Sequence, residues 1–217
     1  MTDKYTKPDF SKCAVITIDT QNDFSLPGAV AEIQGTDEVV PRMKSILEGS
    51  RSHYIPIIHI IRIYKEDGSN VDLCRRELVE SGADIVRPGS VGADLVDSIK
   101  PINSAPLDYQ ALLNGTIQLI GSSEWAIYKP RWGAFYKTEL ERFLKDRDID
   151  TLVFIGCNFP NCPRTSMYEA SERDFKVVMV EDAISGVYGK GLDEMKNIGV
   201  EVYKTEQFIQ EIGSRER

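Results

Sequence analysis

Asp19, Lys129 and Cys162 are the residues of this sequence whose types could do chemistry together. A thiol is a weak nucleophile until it loses its proton. A carboxylate can accept that proton and return it to a leaving group. A cation beside the carboxylate holds it ionised and favours the thiolate. The stretch Ile155-Gly156-Cys157-Asn158-Phe159-Pro160-Asn161-Cys162-Pro163-Arg164-Thr165 sets Cys162 directly before a Pro. Pro is favoured at the first helical position, where its missing N–H would have no partner anyway. A helix N-terminus carries partial positive charge, so this placement is expected to lower the thiol pKa. Backbone N–H groups of the same turn, at Asn158 and Cys162, could bind a developing oxyanion. Each residue alone also has a plainer reading. Cys162 could be a small buried filler of a strand–helix turn, Asp19 a loop cap, and Lys129 a solvated strand end.

The elements around these residues decide whether they can meet. Cys13-Ala14-Val15-Ile16-Thr17-Ile18 is an apolar run ending at Asp19, the pattern of a core parallel strand. Pro56-Ile57-Ile58-His59-Ile60-Ile61-Arg62 reads as a second strand, residues 124–129 as a third that ends in Lys129, and Thr151-Leu152-Val153-Phe154-Ile155 as a fourth that ends before the Cys162 turn. Further strands are expected at residues 176–180 and 200–203. Helical patterns fall at residues 37–52, 70–80, 133–146, 163–173 and 191–198, with a closing helix from residue 205. Residues 21–35 read as a loop, and residues 81–123 as loops with one short helix near 91–99. Strands alternating with helices imply a three-layer α/β/α fold, Rossmann-like, with a mainly parallel sheet and helices on both faces. In such a sheet the carboxyl ends of the strands share one rim, where ligands bind. Asp19, Lys129 and Cys162 all fall at that rim.

Composition bounds the remaining possibilities. The chain has 217 residues, 41% hydrophobic and 28% charged, which suits one α/β domain over 1–217 with a polar N-terminal extension at residues 1–10. It contains no apolar run of about 18 residues, so no membrane span is expected. The polar start lacks the apolar core of an export signal, and a cytoplasmic location is expected. A net charge of −8 with scattered Lys and Arg disfavours a nucleic-acid partner. Cys13, Cys74, Cys157 and Cys162 show no disulfide framework and no Cys-x-x-Cys spacing, and His53 and His59 are the only histidines. That argues against a thiol redox role and a zinc site.

Three segments carry a resemblance. Ile18-Asp19-Thr20-Gln21-Asn22-Asp23-Phe24 looks like the opening motif of the isochorismatase-like cysteine hydrolases. Lys129-Pro130-Arg131-Trp132-Gly133-Ala134-Phe135 resembles their lysine segment. Gly156 through Cys162, followed by Val180-Glu181-Asp182-Ala183, is similar to their nucleophile segment and the strand after it. The resemblance implies an Asp–Lys–Cys triad at Asp19, Lys129 and Cys162, and hydrolysis of a C–N bond through an acyl-enzyme. It also implies a non-proline cis peptide, which position matching puts at Cys157–Asn158. The nicotinamidases of that superfamily carry an Asp-x-His metal motif after the second strand. Here that region reads His59-Ile60-Ile61-Arg62-Ile63-Tyr64, so no catalytic metal and no cofactor are expected. True isochorismatases cleave a vinyl ether and lack the nucleophilic Cys, so Cys162 favours amide chemistry. The chain looks closest to the amidohydrolase branch that includes N-carbamoylsarcosine amidase, ureidoacrylate hydrolase and streptothricin hydrolase. A small amide or ureido substrate and a homodimer or homotetramer follow as expectations from that likeness.

Candidate pocket residues are Phe24, Trp132 and Phe135. Arg131, Arg164 and Arg62 could hold a substrate carboxylate through a planar guanidinium fork, or could equally pair with surface acids. Tyr64, Asn70 and Arg75 lie in the loop region after the second strand, which often contributes to such pockets in the family. His59 on its apolar strand reads as a satisfied core residue, and Cys157 as buried and inert. The rival reading from another class is a non-hydrolytic small-molecule binding or partner module on the same fold. An isochorismatase-type hydrolase is the second alternative.

Overall fold

The computed structural model describes residues 3–214. A 3-10 turn, Phe10–Lys12, leads into β1 (Cys13–Ile18). The chain continues through α1 (Asn22–Ser25), α2 (Thr36–Ser52), β2 (Ile57–Ile61), α3 (Leu73–Glu80), a second 3-10 turn at Asp97–Ile99 and α4 (Tyr109–Leu113). Then come β3 (Gln118–Gly121), β4 (Glu124–Tyr128), α5 (Leu140–Lys145), β5 (Thr151–Gly156) and α6 (Cys162–Ser171). The chain closes with β6 (Lys176–Ile184), α7 (Gly189–Asn197), β7 (Glu201–Tyr203) and α8 (Thr205–Gly213).

The strands form one seven-stranded sheet in the order β3-β4-β2-β1-β5-β6-β7. All neighbours are parallel except β3, which runs antiparallel to β4. The chain moves outward from β1 on one side, then crosses to β5 on the other. The carboxyl ends of β1 and β5 therefore flank the topological switch, the place where an open α/β sheet makes its cleft.

Every residue of β1, β2 and β5 is buried, because helices cover both faces. Alternation along the strands divides the core. Ala14, Ile16, Ile18, Leu152 and Phe154 face α5, α6 and α7. Val15, Val153 and Ile155 face Met43, Ile46 and Leu47 of α2 and Phe208 and Ile212 of α8. This is the three-layer arrangement that the strand and helix alternation predicts.

Three expectations need correction. Residues 81–123 hold an edge strand, β3, and α4, and the expected helix near 91–99 is only a 3-10 turn. The expected helix over 133–146 begins only at Leu140, because the backbone before it is held against α6, as described below. The expected loop at 21–35 contains the four-residue α1. Of the N-terminal extension, residues 1–2 lie outside the described residues. Phe10 stacks edge-on against Tyr203 and Phe208, and the Asp9 N–H donates to Thr151 Oγ1 at 3.0 Å. Among the described residues no helix is long and apolar enough to cross a membrane.

Candidate active site

Parallel register brings three strand ends together. Ile18 is paired with Ile60 on one side and Gly156 on the other. The Asp19 N–H donates to the Ile60 carbonyl and the Lys129 N–H to the Ile61 carbonyl, both at 2.9 Å. On the opposite side the Cys157 N–H donates to the Ile18 carbonyl at 2.9 Å, and its Sγ–H to the Asp19 carbonyl at 3.0 Å. Gly156 permits this approach. Its φ is +126°, and a Cβ there would sit 2.3 Å from the Ile18 carbonyl oxygen.

Lys129 is fully buried and donates from Nζ to Asp19 Oδ2 at 2.8 Å and to the Arg131 carbonyl at 3.3 Å. Asp19 is 5% exposed, and its second oxygen, Oδ1, is buried without a hydrogen-bond partner. An ion pair this deep holds only while both members stay, since removing one strands a buried charge.

The turn after β5 contains a cis peptide at Cys157–Asn158. The Phe159 N–H donates to the Ser185 carbonyl at 2.8 Å, and the fully buried Phe159 ring stacks edge-on against Tyr188. Asn161 is the residue before α6, Cys162 is its first residue and Pro163 the next. Among the described residues neither the Asn158 nor the Cys162 N–H has a backbone acceptor. The segment after Lys129 is tied to the same helix. The Ala134 N–H donates to Ser166 Oγ at 3.0 Å, Ser166 Oγ donates to the Cys162 carbonyl at 2.7 Å, and the Phe135 N–H donates to Glu169 Oε2 at 2.8 Å. A Cβ on Gly133 would lie 2.2 Å from the Glu169 carboxylate, so a larger residue there would displace that side chain from its bond to Phe135. These bonds draw residues 133–135 out of helical geometry and fix Lys129 relative to Cys162.

The thiol pKa runs opposite to the sequence expectation. Burial, and next the Asp19 carboxylate, push Cys162 up to about 11, while Lys129 and Arg62 pull it partly back. The helix N-terminus does not outweigh desolvation and a neighbouring like charge. At rest the site holds a protonated thiol beside an acid with a free oxygen, an arrangement that can pass a proton between them. Cys157, fully buried, is held well above its ordinary value by burial, then by Asp19 and Cys162.

The cleft above these groups is walled by Phe24, Ile33, Trp132 and Asn161, with Asn158 and Cys162 at its base. Phe24 and Trp132, both pocket candidates from the sequence, line this cleft. Three other candidates do not. Phe135 is 5% exposed and sits in the core against Phe175 because its segment is pinned to α6. Arg164 points along the surface to Glu194, Tyr168 and Tyr188. Arg131 is exposed and donates to the Asn70 and Pro130 carbonyls. In their place the cleft is lined by Arg62, Asp72 and Arg75. Arg62 donates to Asp72 at 3.3 Å, and Tyr64 Oη donates to Asp72 Oδ2 at 2.7 Å. Asp72 is the residue that sequence reasoning missed. Its signal was faint: an Arg closing an apolar strand calls for a nearby acid.

His59 is fully buried between Thr17 Oγ1 (2.8 Å) and Glu124 Oε1 (2.7 Å), as its apolar strand suggests. Among the described residues no cluster of three or more His, Cys, Asp or Glu could hold a metal ion.

Residues 110–207 match the isochorismatase domain. The chain is 30% identical over 205 residues to a probable inactive nicotinamidase of Arabidopsis thaliana, covering 92% of this chain and 95% of that protein. It is 27% identical over 203 residues to the N-carbamoylsarcosine amidase of Arthrobacter sp, covering 91% of this chain and 70% of that protein. Its fold superimposes on the crystal structure of an isochorismatase family protein from Desulfovibrio vulgaris with a TM-score of 0.79, 28% identity, and coverage of 94% of this chain and 99% of that one. The protein belongs to the isochorismatase family.

Proposed function

We propose that the protein is a cysteine amidohydrolase that cleaves a C–N bond of a small amide or ureido compound through an acyl-enzyme on Cys162, without a catalytic metal. The observation that carries this reading is the buried 2.8 Å Lys129–Asp19 pair, whose unpartnered Asp19 Oδ1 leaves a proton acceptor beside the thiol. Asp19 takes the thiol proton as Sγ attacks the substrate carbonyl carbon. The Asn158 and Cys162 N–H groups, which have no backbone acceptor, receive the oxyanion. Asp19 then delivers the proton to the departing nitrogen, and the amine or ammonia leaves. Water attacks the thioester, Asp19 accepts a water proton, and that proton returns to Sγ as the acid product departs. Lys129, bonded to Oδ2 at 2.8 Å, holds the Asp19 carboxylate in place through the cycle. The N-carbamoylsarcosine amidase relative supports C–N hydrolysis as the reaction class.

A binding module on the same fold is the second reading, favoured by the Arabidopsis relative named as probably inactive. The two readings separate on Cys162→Ala. The hydrolase reading expects a folded variant with turnover lost by about three orders of magnitude or more. Retained hydrolysis in that variant would sink it, and unchanged ligand binding with no hydrolysis by either protein would favour the binding module.

A further inference from the structure

Cys162 has two guanidinium groups as neighbours in the cleft, from Arg62 at the end of β2 and Arg75 on α3. Arg62 is 1% exposed, and its Nε is buried without a hydrogen-bond partner. Its one salt-bridge partner, Asp72, lies at 3.3 Å and is shared with the Tyr64 hydroxyl. Arg75 is half-buried. It donates to Tyr64 Oη at 3.2 Å and lies over the Phe24 ring at 4.9 Å, and among the described residues it has no carboxylate in salt-bridge range. The charges of the cleft therefore do not cancel. Lys129 balances Asp19, and Arg62 balances Asp72. Arg75 is left over whether the shared proton sits on Cys162 or on Asp19. A buried guanidinium with an open donor, next to a second one with no acid, is the donor set that suits a planar anion. Both arginines also feel the charge that Cys162 acquires on ionisation.

We infer that Arg62 and Arg75 form an anion subsite beside Cys162, and that the substrate carries a carboxylate a few bonds from the carbonyl that Cys162 attacks. This inference rests on the amidohydrolase reading and narrows it to amide or ureido acids. It moves carboxylate recognition from Arg131 and Arg164, which are engaged at the surface, to the arginines of the cleft. Asp72 serves as a positioning residue: it holds Arg62 and, through Tyr64, orders the wall against which Arg75 lies.

The test uses two alkylating reagents of nearly equal size and different charge. Iodoacetate and iodoacetamide are compared at Cys162 of the intact protein by peptide mass spectrometry, with glutathione as the reference thiol. The expected result is a preference for iodoacetate at Cys162 at least roughly tenfold above that of glutathione. Arg75→Gln should bring the ratio back toward the glutathione value. A purely structural role for Arg75 would slow both reagents and leave the ratio alone. An unshifted ratio in the wild-type protein, with both reagents labelling Cys162, overturns the anion subsite and leaves the nucleophile reading standing. Labelling of exposed Cys74 by both reagents with none at Cys162 overturns both. A matched substrate pair, N-carbamoylglycine and its uncharged glycinamide counterpart, gives a second readout. The acid should be turned over at least roughly tenfold more efficiently, and equal turnover would contradict the inference.

Discussion

At the scale of single residues, the proposed mechanism depends on one proton shared between Asp19 and Cys162. The thiol, raised to about 11, does not ionise by itself at neutral pH, so the nucleophile forms only as Asp19 takes the proton. A group raised this way keeps its proton below its folded pKa and loses it as pH climbs through that value. Activity should therefore hold through neutral pH and fall as pH approaches about 11, where no acid remains to protonate the leaving nitrogen. A pH profile of kcat/KM checks this, and a fall beginning near the ordinary thiol value of about 8.5 would contradict it. Lys129→Met removes a cation that lowers the thiol pKa and strands the buried Asp19. We expect a loss of at least about 100-fold in kcat/KM and about 3–5 kcal/mol of stability, with slower iodoacetamide labelling of Cys162. Kinetics, urea unfolding and labelling rates measure the three effects separately. The shared rim was legible in the sequence because Asp19 and Lys129 directly follow strand runs and Cys162 follows the turn after one. The thiol's direction of shift was not, because burial and the Asp19 neighbour are tertiary facts.

At the scale of elements, the candidate active site is a seam between the ends of β1 and β5, and Gly156 sets how tightly it closes. In Gly156→Ala the new Cβ would meet the Ile18 backbone in a left-handed conformation. The expected cost is about 3 kcal/mol or more. Asp19 and Cys162 should separate, with activity lost even where the variant remains folded. Urea unfolding together with kinetics tests this, and a stable, fully active variant would contradict it. Fully buried strands were readable because helices on both faces demand continuous apolar runs. The segment after Lys129 was misread as helix because Phe135, Leu140 and Phe143 fall at helical spacing. The bonds from residues 134 and 135 to Ser166 and Glu169 override that pattern locally. Edge strand β3 and α4 were missed for a related reason. β3 pairs on one side only and is partly exposed, so its residues lack the long apolar run that marks a core strand.

At the scale of the whole molecule, the sheet carries its chemistry at one rim and a structural charge network at the other. Glu124, at the start of β4, is 2% exposed and held by His59 at 2.7 Å and by Arg51 through two bonds of 2.7 and 2.9 Å. Burial alone would raise its pKa, but the His59 and Arg51 bonds outweigh burial and depress it. A depressed carboxylate contributes stability above its unfolded value and loses it as pH falls through the folded one. Stability should therefore decline below about pH 4.5, and the decline should be shallower in Glu124→Gln. Thermal unfolding of both proteins from pH 6 to pH 3 checks this, and an identical pH dependence would contradict it. The sequence read the rim holding Asp19, Lys129 and Cys162 well because strand ends are marked locally. Of the cleft wall it offered Arg62 and Arg75 but not Asp72, which reaches the site only through the fold of the chain between β2 and α3.

The measurement that bears most directly on the central claim is the mass of the Cys162 peptide after rapid acid quench of the protein with a panel of N-carbamoyl amino acids. The account predicts an acyl adduct on Cys162 during turnover, and neither adduct nor turnover in Cys162→Ala. Turnover that proceeds without an adduct and survives in Cys162→Ala, or a panel that yields neither product nor adduct, would contradict it.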